Sequence, residues 1–169
     1  NNTMDQGIWA GYSWIKPTKW YNQWRFNGNF FYSRLVTPMD ILKRAEMMYQ
    51  FSGLNINFNG QLKNLWFVGM NINSTFKKND FYEARTVNHD RVFRDKAKVF
   101  FNLWWESNFA KKLAFGGNLS LGKGAYFDRT MLNYMLFGKI RFSSKFSVDH
   151  QLSLETVKNQ AGYAATVGD

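Results

Sequence analysis

Between Leu54 and Phe76 the chain reads LNINFNGQLKNLWFVGMNINSTF. Leu54, Ile56 and Phe58 alternate with Asn55, Asn57 and Asn59. After a short polar break, Val68, Met70 and Ile72 alternate with Gly69, Asn71 and Asn73. A period of two sends successive side chains to opposite faces, which is the geometry of a strand. Two such runs across a short break specify a hairpin. A soluble sheet sets Lys, Glu and Thr opposite its apolar face. Here the second face is amide and glycine, and amides both donate and accept without a charge to desolvate, which suits a confined wet space.

The same period recurs in eight runs: Gln6–Ile15, Asn22–Arg34, Met48–Leu62, Trp66–Phe76, Ala97–Phe109, Leu113–Lys123, Asn133–Phe142 and Phe146–Thr156. Each matches or slightly exceeds the roughly 9–11 residues of a tilted membrane-spanning strand. The connections alternate between short (Lys16–Tyr21, Lys63–Leu65, Ala110–Lys112, Ser143–Lys145) and longer (Leu35–Met47, Lys77–Lys96, Gly124–Leu132). That is the layout of an outer-membrane barrel.

Face parity fixes the register of three hairpins. A three-residue loop at Ala110–Lys112 opposes Phe109 and Leu113, Phe101 and Leu121, Leu103 and Leu119, Asn102 and Ser120, and Trp104 and Asn118. At Lys63–Leu65 it opposes Phe58 and Met70, Ile56 and Ile72, Asn57 and Asn71, and Asn55 and Asn73. At Ser143–Lys145 it opposes Ile140 and Val148, and Lys139 and Asp149, a favourable cross-strand charge pair. A loop one residue longer or shorter would set apolar against polar throughout.

These readings predict an all-β, antiparallel transmembrane barrel spanning 1–169 as one segment. Asn55, Asn57, Asn59, Asn71, Asn73, Asn102, Glu106, Asn118, Ser120, Lys139, Arg141, Asp149, Gln151 and Glu155 are expected to line its lumen. Leu54, Ile56, Phe58, Val68, Met70, Ile72, Phe101, Leu103, Leu119, Leu121, Ile140, Val148 and Leu152 are expected to face lipid. Trp24, Tyr32, Trp66, Trp105 and Phe109 lie near strand ends, where aromatic girdles meet headgroups. The competing architecture is a soluble, basic β-sandwich with an aromatic core.

Composition narrows the function classes. The chain has no Cys, so neither disulfides nor thiolate metal sites are available. Its net charge of +10 comes from Lys and Arg placed mainly in breaks between strands, not on one helix face, so nucleic acid is not the expected partner. His89 and His150 are the only histidines, and a lone histidine with no nearby Cys or second His is a poor metal site. Asp149 and His150 are adjacent and point to opposite faces, which argues against a catalytic dyad. No catalytic residue, metal or cofactor is expected. The long connection holds Phe81, Tyr82, Glu83, Arg85, Arg91 and Arg94, read as an extracellular loop beside anionic lipopolysaccharide.

Both ends of the meander fall on the long-loop side and the tail GYAATVGD lacks a closing aromatic strand, so the strands are expected to form an arc of a larger barrel. Three stretches, FYEARTVNHDRVFR (Phe81–Arg94), GYSWIKPTKWYNQWRFN (Gly11–Asn27) and VKNQAGYAATVGD (Val157–Asp169), resemble a Bacteroidota outer-membrane family catalogued as domain of unknown function 5916. Ala164 departs from the family's β-branched residue. The resemblance implies a large barrel preceded by a carbohydrate-binding-like sandwich, and no such sandwich is among these residues. The expected function is a pore or scaffold of a Gram-negative outer membrane, with lipid, lipopolysaccharide and other envelope proteins as partners. The alternative is a structural or accessory subunit of an assembly, secretion or uptake complex.

Overall fold

A computed structural model describes residues 3–36, 48–80, 92–125 and 127–160. They form one antiparallel sheet of nine strands: β1 (Thr3–Trp14), β2 (Tyr21–Leu35), β3 (Tyr49–Leu62), β4 (Phe67–Asp80), β5 (Phe93–Asp95), β6 (Lys98–Glu106), β7 (Leu113–Gly124), β8 (Arg129–Arg141) and β9 (Ser147–Lys158). The long strands pair in the order β1-β2-β3-β4-β6-β7-β8-β9, and β5 pairs with β4 off that path. They run from 9 residues in β6 to 15 in β2, longer than the roughly five or six usual in soluble sheets.

The three hairpin registers are those that parity requires. Ile56 opposes Ile72, Asn57 opposes Asn71, Leu103 opposes Leu119, and Lys139 opposes Asp149. The strand count and several boundaries differ from the expectation of eight. The ninth strand, β5, has 3 residues, and β4 runs on to Asp80 to pair with it. β7 and β8 likewise continue into the stretch read as a loop, to Gly124 and from Arg129. Hydrophobic alternation fades where Lys and Asn begin, but the backbone ladder needs no apolar side chains at a sheet rim. In the turn that remains, Phe127 and Asp128 adopt consecutive left-handed φ values of 54° and 52°. β6 ends early, at Glu106, and Phe109 lies in the turn beyond it. Ser107 takes over the ladder there: its N–H donates to the Phe115 carbonyl at 2.8 Å, and its Oγ accepts from the Phe115 N–H at 2.7 Å.

The sheet is open: β1 and β9 are its two edges and do not pair with one another. Among the described residues, the buried apolar side chains are Leu35 and Ala114. Most of the packing lies within the sheet surface. Rings from one strand lie across glycines directly opposite on the next: Trp24 over Gly60, Trp105 over Gly117, Trp104 over Gly69 and Phe100 over Gly122. A Cβ on Gly69 would come within 2.5 Å of the Trp104 indole. These glycines are seats for rings.

This packing sets up a contrast between two glycines. Gly117→Val forces Trp105 off its seat and is expected to destabilise the protein by about 1–3 kcal/mol, the range for overpacking. Gly28→Ala meets only the Asn55 carbonyl at 3.8 Å, an ordinary contact, and is expected to be neutral or slightly stabilising. Urea unfolding in detergent, read by tryptophan emission, distinguishes the two.

Candidate functional site: the amide face and the apolar face

Residues opposite one another in an antiparallel pair share a face, so the ladders assign every long-strand residue to a side. On one side a row of polar groups crosses seven strands: Asn27, Asn57, Asn71, Asn102, Ser120, Asn133 and Glu155. The amides are joined to one another. Asn57 Nδ2 donates to Asn27 Oδ1 at 2.8 Å and to Asn55 Oδ1 at 2.5 Å. Asn29 Nδ2 donates to Asn55 Oδ1 at 3.1 Å, and Asn55 Nδ2 donates to Asn73 Oδ1 at 2.6 Å. Further along, Ser120 Oγ donates to Asn102 Oδ1 at 3.0 Å and to Asn118 Oδ1 at 2.9 Å. Each amide has both a donor and an acceptor end, so the chain of bonds extends without a net charge.

Charged groups flank this network on the same face. Lys139 Nζ meets Asp149 Oδ1 at 3.4 Å. Asn133 Nδ2 approaches Glu155 Oε2 at 3.4 Å. Gln151 lies on this face opposite Phe137, Glu106 opposite Gly116, Asn59 opposite Arg25, and Arg141 opposite Ser147. The face also carries rings that sequence reasoning missed: Phe31, Phe100, Trp104 and Phe137, each over a glycine of a neighbouring strand. The signal for Phe100 and Gly122 was available, since the same loop arithmetic that pairs Asn102 with Ser120 pairs them too.

The other face carries Leu54, Ile56, Phe58, Val68, Met70, Ile72, Phe101, Leu103, Leu119, Leu121, Ile140, Val148 and Leu152, brought together by the ladders. His150 also lies here, opposite Gly138 towards the short-turn rim. The aromatic residues gather at that rim. Trp24 and Trp105 share one cross-strand row through Gly60 and Val68. Trp24 stacks on Phe58 at 4.6 Å and 9°, with its Nε1 buried and without a partner. Trp66 lies in the turn before β4, not within the strand, and meets Phe115 edge-on at 5.4 Å. Phe109, in the next turn, sits 6.0 Å from Phe137. Trp14, Trp20 and Tyr21 extend the group, with Trp20 at 4.6 Å from Tyr21 and 6.0 Å from Trp24. Tyr32 stands apart at the opposite rim, 5.7 Å from Tyr49. Of the loop residues, Arg94 belongs to β5 opposite Asn79 and is a strand residue. Phe81, Tyr82, Glu83, Arg85, His89 and Arg91 lie outside the described residues.

The family described as Domain of unknown function (DUF5916) matches residues 1–169. The chain belongs to that family. No curated protein and no solved structure matches it. The family's description assigns no activity, so function has to be argued from the two faces. Among the described residues, no group of three or more His, Cys, Asp or Glu could hold a metal ion. No helix among them is long and apolar enough to cross a membrane, a finding that does not bear on crossing by strands.

Asn57 donates to two partners, so Asn57→Ala is expected to cost about 1–2 kcal/mol in unfolding free energy. The Asn27/Asn57 double-mutant cycle should return a coupling of roughly 0.5–1.5 kcal/mol. Asn133→Ala, whose contact with Glu155 is exposed and long, is expected to stay within about 0.5 kcal/mol of the parent.

Proposed function

We propose that the sheet is an arc of a transmembrane β-barrel in a Gram-negative, Bacteroidota-type outer membrane, with the amide face lining a wet lumen and the apolar face against lipid. Its role is that of a pore or scaffold, without catalysis.

The observation that carries this reading is the diagonal course of the apolar band. On β2 the band is Trp24–Tyr32, centred on Gly28, and it ends at Arg34. On β7 it is Leu113–Leu121, centred on Gly117, and it ends at Lys123. Gly28 lies in one row with Ile56, Ile72, Phe101 and Leu121. The centre has therefore moved from 121 to 117, or four residues, over the four steps β2-β3-β4-β6-β7. β3, with Leu54–Leu62 centred on Phe58, lies between, and β8, centred on Leu136 opposite Gly117, holds the level reached at β7. Averaged from β2 to β7 that is roughly one residue per strand, a slope of about 35° at about 3.3 Å rise and about 4.8 Å spacing; β6, with Val99–Trp105, lags this line and β8 adds nothing to it. Strands of outer-membrane barrels tilt by about 35–45°, so a band drawn at this slope lies level in a membrane. A soluble sandwich core imposes no such slope.

Two further features agree. Backbone groups left unpaired in hydrocarbon cost several kcal/mol each, so the open edges of β1 and β9 require partner strands, as an arc of a wider barrel has. The sheet also buries too little apolar surface to stand in water, whereas lipid supplies what its apolar face lacks.

The chain has no native cysteine, so each introduced thiol reports on a single site. In lipid vesicles, cysteines at Asn55, Asn57, Asn71 and Asn73 are expected to react with a charged, membrane-impermeant maleimide. Fluorophores on cysteines at Ile56, Phe58, Met70 and Ile72 are expected to be quenched by brominated lipid. Equal labelling of both sets, or a protein that stays in solution without detergent, overturns the reading.

A further inference from the structure

Among the described strand residues, the apolar face holds charge at one rim only. Its charged strand residues are Arg34, Lys77, Arg94, Lys123 and Lys158, all cations and all at the long-loop rim. The acids Asp5, Asp95, Glu106, Asp149 and Glu155 lie on the amide face. Between β6 and β9 this rim forms a depression of about 560 Å³. Its floor is Val99, Phe101, Leu121 and Leu132, of which Val99, Leu121 and Leu132 are 44–46% exposed. Lys123, Thr130 and Lys158 share one row with Val99, next to the row of Phe101, Leu121 and Leu132.

We propose that this depression binds a phosphorylated, multiply acylated lipid of the lipid A type. The inference rests on the membrane reading above and names a ligand for its outer rim. The acyl chains lie on the four apolar side chains, in a floor that runs from β6 to β8, two strand spacings or about 10 Å wide, which takes about two chains side by side. The phosphates meet Lys123 and Lys158. These lysines are two strand spacings apart, about 10 Å, so they suit a headgroup with two separated phosphates better than one with a single phosphate. Thr130, between them, offers a hydroxyl to the same headgroup. A cation at this level keeps its stem on the apolar surface and its ammonium among headgroups. Among the described strand residues, no carboxylate shares the face to compete for the lysines.

The test uses the whole barrel that carries this sheet, purified into phosphatidylcholine vesicles. Insertion is scored first, by protection of the strands from protease. Diphosphoryl lipid A is then titrated, and binding is read by displacement of a fluorescent lipid A. The parent is expected to bind saturably, and Lys123→Gln/Lys158→Gln about tenfold or more weakly, given the share each basic residue contributes near an anionic headgroup. Lys123→Arg/Lys158→Arg should retain binding. Lys111→Gln/Lys112→Gln, with the same charge loss at the opposite rim, should not change it. The site is overturned if the Gln pair binds like the parent, if fully dephosphorylated lipid A binds equally well, or if phosphatidylglycerol displaces the probe equally well, which would make the rim a general anionic-lipid surface. A protein that fails to insert removes the membrane reading and this site together. A protein that inserts but is indifferent to the Gln pair removes the site alone.

Discussion

Cross-strand register is the constraint on which everything else here depends. A slip of one residue in any strand would send its asparagines to the apolar side and its leucines to the amide side. Both faces defend the register. On the amide side, hydrogen bonds tie Asn27 to Asn57, Asn55 to Asn73, and Asn102 to Ser120, and each bond exists only at the observed pairing. Where the amides give out, rings take their place. Trp104 over Gly69 and Trp105 over Gly117 fit because the residue opposite has no side chain, and a slipped strand would drive the indole into a Cβ. The two devices share the same strands: amide bonds pin the middle of the ladders, and ring-on-glycine seats pin them on either side, Trp104 over Gly69 towards the short turns and Phe31 over Gly53 and Phe100 over Gly122 towards the long loops.

The hairpins were legible in the sequence because three tight loops let a parity argument run across each of them without a gap. That argument recovered the Asn55–Asn73, Phe101–Leu121 and Lys139–Asp149 pairs directly. It stopped at β5, since FRD has no alternation and its pairing depends on a bulge near Phe76 that no pattern announces. Strand ends at the long-loop rim were misjudged for the same reason. Alternation records which faces are apolar, while a ladder can continue through polar residues such as Lys78 and Asn79. The tryptophans at the first turn were visible as residues, but their assembly with Trp24 was not: Trp20 reaches Trp24 from the turn, and Trp14 joins through Phe58.

The polar side is more mixed than an amide count conveys. Phe31, Phe100, Trp104 and Phe137 share it, lying flat over glycines and adding little height. A ring in that position covers backbone and leaves the neighbouring amides free to bond sideways. A surface of this kind is low and wettable in strips, with Lys139, Arg141, Asp149 and Glu155 on β8 and β9 and fewer charges, such as Arg25 and Glu106, among the amide strands. On the proposed reading, such a wall offers a solute many weak, equivalent contacts and no deep well, which suits passage or passive lining better than retention.

The edges complete the argument. β1 is exposed along its whole length and β9 along most of its own. In water such edges recruit other strands indiscriminately unless charge or proline blunts them. β1 carries a single charged residue, Asp5, and no proline, so it has almost none of that protection. A strand left so unguarded is consistent with one that is always paired where it works. The nearly empty core and the sloping apolar band agree with it: on the proposed reading, lipid completes the sheet on its apolar face and further strands complete it at its edges.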